Sequence, residues 1–217
     1  EFTCGVPMRQ PISLHPPVRG QWAIFNPPGH PKLAYDFLAV DEEKSPYNGT
    51  SLFRHIVSTI SVESTLAWNQ PVVAVMEGTV VAASDGMPDR HQLCMTKDLL
   101  CLMCCGPQHV PPFSALGGNY VILHCGEIFP LYAHLQSGSV LVRPGDIVRP
   151  GDVLGRVGNS GASLQPHLHF QVMDSQDPFP LFKNLVSFVL EEAQKRRAGT
   201  WQTVRHEILF NGDHLLL

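Results

Sequence analysis

The sequence predicts a chain built mainly of short β-strands joined by turns. Its apolar runs are brief, rich in valine and bounded by turn residues, as at residues 71–75 and 78–83. Such runs are typical of buried strands. Further runs at residues 118–124 and 128–135 extend the pattern, and 18 glycines and 19 prolines supply many turn positions.

Length and charge restrict the classes of protein that the chain can represent. Its 217 residues, 44% hydrophobic and 16% charged, suit one sizeable globular domain with insertions. A formal net charge of -4 argues against a nucleic-acid partner, since nucleic-acid binders are usually basic. No apolar run approaches the roughly 18 residues of a transmembrane helix, so no membrane span is predicted. Nothing in the composition indicates an oligomeric state.

The strongest chemical signal is the segment Pro166-His167-Leu168-His169-Phe170. On a strand, His167 and His169 would share one face, with Cα atoms roughly 6.6 Å apart, while Leu168 and Phe170 would point into a core. The two imidazoles could share a metal, or one could bind a metal while the other transfers protons. A pair of surface histidines on an edge strand is the alternative, because the motif alone is weak.

Two other places carry candidate site residues. His30 is predicted on a proline- and glycine-rich loop, and Asp36 on the strand that follows, so the two could converge or be unrelated surface groups. His134 lies near the end of the predicted strand at residues 128–135.

Two segments interrupt the strand pattern and are interpreted as insertions, at residues 41–70 and 87–116. The second contains a cluster of cysteines: Cys94, Cys101, Cys104 and Cys105. The spacing of Cys101 and Cys104 is that of half a structural zinc site, and disulfides in a long loop are equally compatible with it.

The chain divides into three parts by composition. Residues 1–28 form a proline-rich arm with one strand near residues 21–25, and residues 29–180 form the main domain. Residues 181–217 are predicted as a helix and a strand packed on that domain. The helix is expected over residues 184–198, with basic residues in its last turn and Gly199 as its stop.

Several motifs, in one order along the chain, resemble the lysostaphin-type (LytM-like) zinc metallopeptidases, a family of peptidoglycan endopeptidases. The similarity runs from about residue 30 to residue 174. The principal matches are His30 with Asp36-Phe37, Gly118-Asn119-Tyr120-Val121, Tyr132-Ala133-His134-Leu135 and the His-x-His segment. The family's commonest first motif has three residues between histidine and aspartate, whereas this chain has five.

The resemblance implies a fold and a set of site residues. The fold would be all-β, a two-sheet barrel-like sandwich (a duplicated hybrid motif), here with loop insertions and one C-terminal helix. His30, Asp36 and His169 would bind one catalytic Zn²⁺, and His134 and His167 would be catalytic beside it. Separately from the resemblance, Asn119 is a candidate for binding substrate, and the cysteine cluster would hold a second, structural ion if it binds metal instead of forming disulfides.

This set of residues is chemically coherent for hydrolysis. Two imidazoles and one carboxylate leave the fourth zinc position open for water, whose pKa the metal lowers to about 7. That water would be the nucleophile. The chain has no His-Glu-x-x-His motif, so His134 and His167 would supply proton transfer and oxyanion stabilisation.

The function implied is a zinc metalloendopeptidase that cuts stem or cross-bridge peptides of peptidoglycan in the periplasm, the cell wall or the extracellular space. Two related readings are a non-catalytic family member that binds cell wall or activates a partner hydrolase, and a metallopeptidase that acts on proteins. A third is a phosphocarrier that passes a phosphoryl group between paired histidines, which would need no aspartate ligand.

Overall fold

The computed structural model describes residues 10–27, 30–104, 113–178 and 184–217, and most of its regular structure is β-strand. In chain order the strands are β1 (Ile12–Leu14), β2 (Gln21–Phe25), β3 (Ala34–Ala39), β4 (Ile60–Ser61), β5 (Pro71–Val73), β6 (Gly78–Ser84), β7 (Gln92–Leu93) and β8 (Asn119–His124). The remaining strands are β9 (Phe129–Leu135), β10 (Ile147–Val148), β11 (Val153–Arg156), β12 (Leu168–Met173), β13 (Phe188–Leu190), β14 (Ala193–Arg197), β15 (Thr200–Val204) and β16 (His214–Leu216).

One large sheet organises the part of the chain that the structure describes. Its ten strands run in the order β10-β6-β8-β9-β12-β3-β2-β16-β14-β15, and every neighbouring pair is antiparallel. The strand predicted near residues 21–25 is β2, and the strand of the His-x-His segment is β12, which begins at Leu168. β12 lies in the middle of the sheet, between β9 and β3.

The two faces of this sheet have different surroundings. Residues such as Phe37, Tyr132 and Phe170 are fully buried on one face, in the main hydrophobic core. The antiparallel pair β5–β11 contributes Val72 and Leu154 to the same core. The backbone N–H of Val75, just after β5, donates to the Tyr132 hydroxyl at 3.0 Å, which ties this second layer to the sheet. The predicted all-β class is confirmed, and the two layers agree with a sandwich.

The opposite face of the sheet carries a smaller apolar cluster. Ile122, Leu131 and Ala133 pack there against Phe113 and Met173. The rest of this face, over β9, β12 and β3, is where the histidines of the His-x-His region lie. One face of the sheet therefore packs against the main core, and the part of the other face outside the smaller apolar cluster is available for a site.

The predicted insertions contain the helices of the described residues. These are α1 (Leu52–Val57), α2 (Met95–Cys104) and α3 (Phe113–Gly117), with a 3₁₀ turn at Val62–Ser64. α1 contacts α2, so the two insertions pack on each other. Within the described ranges, each helix is too short to cross a lipid bilayer. The three domain boundaries given above remain predictions.

The predicted C-terminal helix is wrong. Residues 188–190 and 193–197 form β13 and β14 instead. Ala198 and Gly199, at φ 48° and 83°, are the two-residue turn of the β14–β15 hairpin, in which both central residues require positive φ. Gly199 is therefore a hairpin glycine, where the sequence had suggested a helix stop.

Tertiary pairing explains why the helical pattern did not prevail. β14 is hydrogen-bonded to β15 on one side and to β16 on the other, so its polar groups are satisfied within the sheet. Lys195 in β14 is only 9% exposed and forms ion pairs with Glu207 at 3.0 Å and Asp213 at 2.8 Å. Local helix propensity is a weak preference, and these long-range contacts override it.

Candidate active site

Strand pairing brings the first two candidate ligands together. β12 runs antiparallel to β3 with His169 directly opposite Asp36. Residues directly opposite each other in an antiparallel pair point to the same face. His169 Nδ1 accordingly lies 2.9 Å from Asp36 Oδ1. Two residues 133 positions apart in sequence thus become one polar pair on the free face of the sheet.

His30 reaches the same point from the loop before β3. Its Nε2 lies 3.2 Å from Asp36 Oδ1 and 3.1 Å from His169 Nδ1. Turn hydrogen bonds from His30 N to Pro27 O and from Ala34 N to Pro31 O fold the loop. The second of these turns lies between His30 and Asp36 and shortens the path of the five intervening residues, so the longer spacing still delivers the imidazole.

Both imidazoles of this trio are held through their other nitrogen. His30 Nδ1 is 3.2 Å from the carbonyl oxygen of Pro31, and His169 Nε2 is 3.1 Å from Oε1 of Gln171. Each of these nitrogens donates a proton to its oxygen acceptor. The nitrogens that face Asp36 are then available as lone-pair donors to a metal, an arrangement common among metal-binding histidines.

His134 and His167 complete a cluster of four histidine side chains around Asp36. The centroids of their rings are 4.7 Å apart, and His134 lies 5.9 Å from the ring of His169. His134 donates from Nδ1 to the carbonyl oxygen of Ser160 at 2.9 Å, and His167 from Nδ1 to that of Gln165 at 2.8 Å. The Nε2 atom of each ring therefore faces the site. His167 Nε2 lies 3.5 Å from Asp36 Oδ1.

A β-bulge places His134 on the site face. Ala133 is the residue opposite His169, so strict alternation would send the next side chain, His134, into the core. The β8–β9 register instead shifts between Asn119 and Val121, with an extra residue on β9. His134 has φ 61°, which is uncommon for a residue other than glycine. Bulges of this kind re-aim side chains near active sites.

The charges of the cluster are mutually dependent. Burial alone would raise the pKa of the Asp36 carboxyl, but the neighbouring imidazoles of His167, His169 and His30 hold that pKa well below its usual range. Burial works against protonation of His169 as well, yet the nearby Asp36 carboxylate raises the pKa of His169 overall. Burial, with His167 and His169 nearby, lowers the pKa of His134 well below its ordinary value.

The trio His30, Asp36 and His169 fits a zinc ion. Zn–N and Zn–O bonds of about 2.0–2.1 Å in a tetrahedron place neighbouring ligand atoms about 3.3–3.4 Å apart. The three donor atoms lie 2.9, 3.1 and 3.2 Å from one another. Two imidazole nitrogens and one carboxylate are also the donor types of catalytic zinc sites. Within the described residues, His30, Asp36 and His169 form the one group of three or more metal-ligating side chains whose ligand atoms all lie within 4.8 Å of one another.

The cluster lies in the floor of a cleft that extends to both sides. One part has a volume of about 470 Å³ and is bordered by Phe25, Leu38 and Leu164. The other, of about 270 Å³, is bordered by Phe113 and Leu116. His30, His134 and His169 line both parts, so an extended chain lying in the cleft would pass over the candidate metal ligands.

Asn119 does not join this group. It is fully buried, and its amide nitrogen donates to the carbonyl oxygens of Met87 at 2.9 Å and Leu135 at 3.1 Å. Its amide oxygen accepts from the backbone N–H of Met87 at 2.8 Å. These bonds tie the loop after β6 to the sheet and do not support the predicted contact with substrate.

The predicted cysteine cluster is only partly described. Cys94 is a buried free thiol, 3.4 Å from the Thr96 hydroxyl. Cys101 and Cys104 lie on α2, but their side chains, like the whole of Cys105, fall outside the described residues. The choice between a zinc site and disulfides therefore remains a prediction for those three cysteines.

Three residues of the site were missed by sequence reasoning. Gln171, which holds His169, lies two positions further along β12, and the same alternation that pairs the two histidines would have placed it on their face. His55 and Asp98 line the cleft from α1 and α2. The sequence carries no signal for these two, because they come from separate insertions.

The fold and the site together define a candidate metal-dependent hydrolase on an all-β scaffold. Residues 108–180 match the family model described as peptidase family M23. The predicted resemblance to the lysostaphin-type metallopeptidases is thereby confirmed for the segment that carries His134, His167 and His169.

Curated relatives agree with this match. The chain is 39% identical to lysostaphin of Staphylococcus simulans over 77 residues, which cover 31% of this chain and 15% of that protein. It is 27% identical to an L-Ala--D-Glu endopeptidase of Bacillus subtilis over 138 residues, 57% of this chain and 38% of that protein. The matches thus span less than half the length of these relatives. Among solved structures, the catalytic domain of lysostaphin from Staphylococcus simulans aligns with 75% of this chain and 91% of its own at 21% identity and a TM-score of 0.40.

Proposed function

We propose that the protein is a zinc metalloendopeptidase that hydrolyses peptide bonds in bacterial cell-wall peptidoglycan. The observation that carries this proposal is the convergence of His30 Nε2, Asp36 Oδ1 and His169 Nδ1 within 3.2 Å of one another. The protons of both imidazoles are directed outward, to Pro31 and Gln171. Three lone-pair atoms so close together repel one another unless a cation or a proton lies between them.

The chemistry of hydrolysis would be divided between the metal and the chain. When bound by His30, Asp36 and His169, zinc supplies a Lewis acid that lowers the pKa of water and polarises a carbonyl. The chain's own part falls to His134 and His167. Their rings lie side by side with Nε2 toward the site, so one can accept a proton while the other donates a hydrogen bond to developing negative charge.

The anchoring of these two rings supports that division of work. The bond from His134 Nδ1 to Ser160 O and the bond from His167 Nδ1 to Gln165 O fix the tautomers, so that each Nε2 is the atom that exchanges protons. Burial, together with the neighbouring imidazoles, lowers the pKa of His134, which keeps this ring neutral at pH 7.

The shape of the cleft and the names of the relatives support a peptide substrate in the cell wall. The two parts of the cleft meet over the ligands, as an extended peptide requires. Relatives are named as a glycyl-glycine endopeptidase, an L-Ala--D-Glu endopeptidase and a peptidoglycan DD-endopeptidase. We accordingly place the protein in the periplasm, the wall or the extracellular space, acting on stem or cross-bridge peptides.

Digestion of purified peptidoglycan tests the proposal. The zinc-loaded protein should release fragments with new amino termini, detected by mass spectrometry, and no new reducing sugar ends. A zinc chelator should stop the release, and restored zinc should restart it. His167→Gln, which leaves the three ligands in place, serves as the matched inactive control. Release of reducing ends alone would indicate a glycosidase, and intact wall material after treatment with folded, zinc-loaded protein would contradict the proposal.

A further inference from the structure

The helices of the two insertions form one wall of the larger part of the cleft. His55 comes from α1, and Met95 and Asp98 come from α2. The neighbouring lining residues Phe25 and Leu164 are apolar. In an apolar wall, polar atoms that have no partner within the protein are costly unless a ligand or water pairs with them. His55 and Asp98 each have one such atom.

His55 offers a hydrogen-bond donor at this wall. Its side chain is almost completely buried, with the residue 2% exposed, and Nε2 has no partner among the described residues. Its Nδ1 lies 2.8 Å from the hydroxyl of Tyr47, itself a buried residue. If the hydroxyl accepted from Nδ1, its own proton would be left unpaired in the interior, so the hydroxyl donates and Nε2 carries the imidazole proton.

Asp98 offers an acceptor from the facing helix. Its Oδ1 accepts from Nη1 of Arg90, while Oδ2 is buried without a partner in the described part of the chain. Arg90 also donates from Nη2 to the carbonyl oxygen of Ser163. The Ser163 hydroxyl in turn lies 3.2 Å from Nδ1 of His167. The acceptor is thus fixed to the loop that carries a residue of the proposed catalytic pair.

The charges of this wall favour an uncharged ligand group. Burial lowers the pKa of His55, although the nearby Asp98 opposes the effect, so the imidazole is neutral at pH 7. The guanidinium of Arg90 compensates the charge of Asp98. A carboxylate placed here would face the unpaired oxygen of Asp98, and an ammonium group would leave the His55 N–H without an acceptor. A group with one carbonyl oxygen and one N–H satisfies both atoms.

We propose that His55 and Asp98 form a subsite for an amide group of the substrate, whose carbonyl oxygen accepts from His55 Nε2–H and whose N–H donates to Asp98 Oδ2. The inference rests on the proposed function in that the amide would belong to the peptide being cut. The amide is either a main-chain peptide unit or a primary carboxamide of a side chain or chain end. Because the two residues come from the insertions, the subsite would give this chain a substrate preference that does not depend on the proposed metal ligands.

Binding of small probes to the full, zinc-loaded chain tests this subsite without any turnover. We would follow the His55 imidazole signals and the Met95 methyl signal by NMR while adding N-methylacetamide, acetamide, acetate or ethylammonium. Both amides should shift these signals. Tighter binding of N-methylacetamide would indicate a main-chain peptide unit, and tighter binding of acetamide would indicate a primary carboxamide. Acetate and ethylammonium should bind there at least about tenfold more weakly, because each leaves a buried polar atom unpaired. Acetate that binds at the metal instead would shift the signals of His169 and leave those of His55 and Met95 unchanged.

Substitutions give a second, independent readout. Asp98→Asn replaces the carboxylate that faces acetate with an amide that can donate to it, so acetate should then bind at Met95 within about threefold of acetamide. Lys97→Gln, an exposed neighbour on α2, is the matched control and should leave the preference unchanged. Amides that leave the His55 and Met95 signals unmoved, or acetate that binds the native chain as well as acetamide does, would overturn the inference. Since no bond is cut, loss of wall hydrolysis would not affect these results.

Discussion

Replacing Asp36 with asparagine should release the metal while the fold is retained. Asn has the same size and still presents an oxygen, but it lacks the charge by which Asp36 would bind zinc. Asp36 is 7% exposed, with its Oδ1 2.9 Å from His169 Nδ1 and 3.2 Å from His30 Nε2. The substitution therefore removes one of three converging candidate ligands and leaves the two imidazoles in place.

The size of the effect follows from the ligand count. Apparent zinc-binding free energies of about 10–16 kcal/mol for four-ligand structural sites correspond to about 2.5–4 kcal/mol per ligand. Asp36→Asn should thus weaken zinc binding by about 10²–10³-fold. Gln171→Leu acts only through the orientation of His169 and should weaken binding less, by about 10–100-fold. The native chain, Gln171→Leu and Asp36→Asn should rank in that order of affinity.

Competition with a chelating indicator at fixed pH measures these affinities, and elemental analysis of dialysed protein gives the zinc content. Asp174→Asn, an exposed position just after β12, is the control and should match the native chain. Circular dichroism of the zinc-free proteins checks that the variants remain folded. One zinc per chain in folded Asp36→Asn, with unchanged affinity, would refute the ligand assignment. Equal affinities for Gln171→Leu and the native chain would show that the bond to His169 does not position the ligand.

Two further predictions concern the remaining histidines. His134→Gln and His167→Gln should each retain zinc by elemental analysis but lose about 10²–10⁴-fold in turnover of wall peptide, and near-normal turnover would exclude that residue from proton transfer. Burial lowers the pKa of His214, and both of its ring nitrogens lack partners among the described residues. As pH falls below about 6.5, the unfolded chain binds a proton that the folded chain resists, so the free energy of unfolding should fall by up to about 1.4 kcal/mol per pH unit. His214→Leu should reduce that slope in urea unfolding between pH 7 and pH 5, and equal slopes for His214→Leu and the native chain would contradict the account.

Periodicity in the sequence determined which segments form the central strands and which side chains share a face. Alternation in the His-x-His segment requires Leu168 and Phe170 to be buried when His169 faces outward, and the structure has this arrangement. The strands β6, β8 and β9 were predictable for a different local reason, since each lies in a short apolar run bounded by turn residues. The candidate ligands were predictable as residue types, because the motifs that contain them are local.

Alternation failed where the backbone departs from it. His134 reaches the site because a bulge in β9 and a positive φ turn its side chain away from the core. Nothing in the residues around His134 specifies a bulge, which depends on the partner strand β8. The C-terminal helix was wrong for a related reason. The helical pattern at residues 184–198 is local, whereas β14 is stabilised by two partner strands and by the buried ion pairs of Lys195.

The sequence by itself thus determined the central strands, the site face of β12 and the chemistry of the candidate ligands. The tertiary structure decided their convergence, which depends on the register that sets His169 opposite Asp36 and on the loop turns that bring in His30. It alone also placed His55 and Asp98 in one wall of the cleft. The physical reason is that hydrophobic periodicity is a property of neighbouring residues, whereas register, bulges and the packing of one insertion on another depend on contacts between segments far apart in the chain.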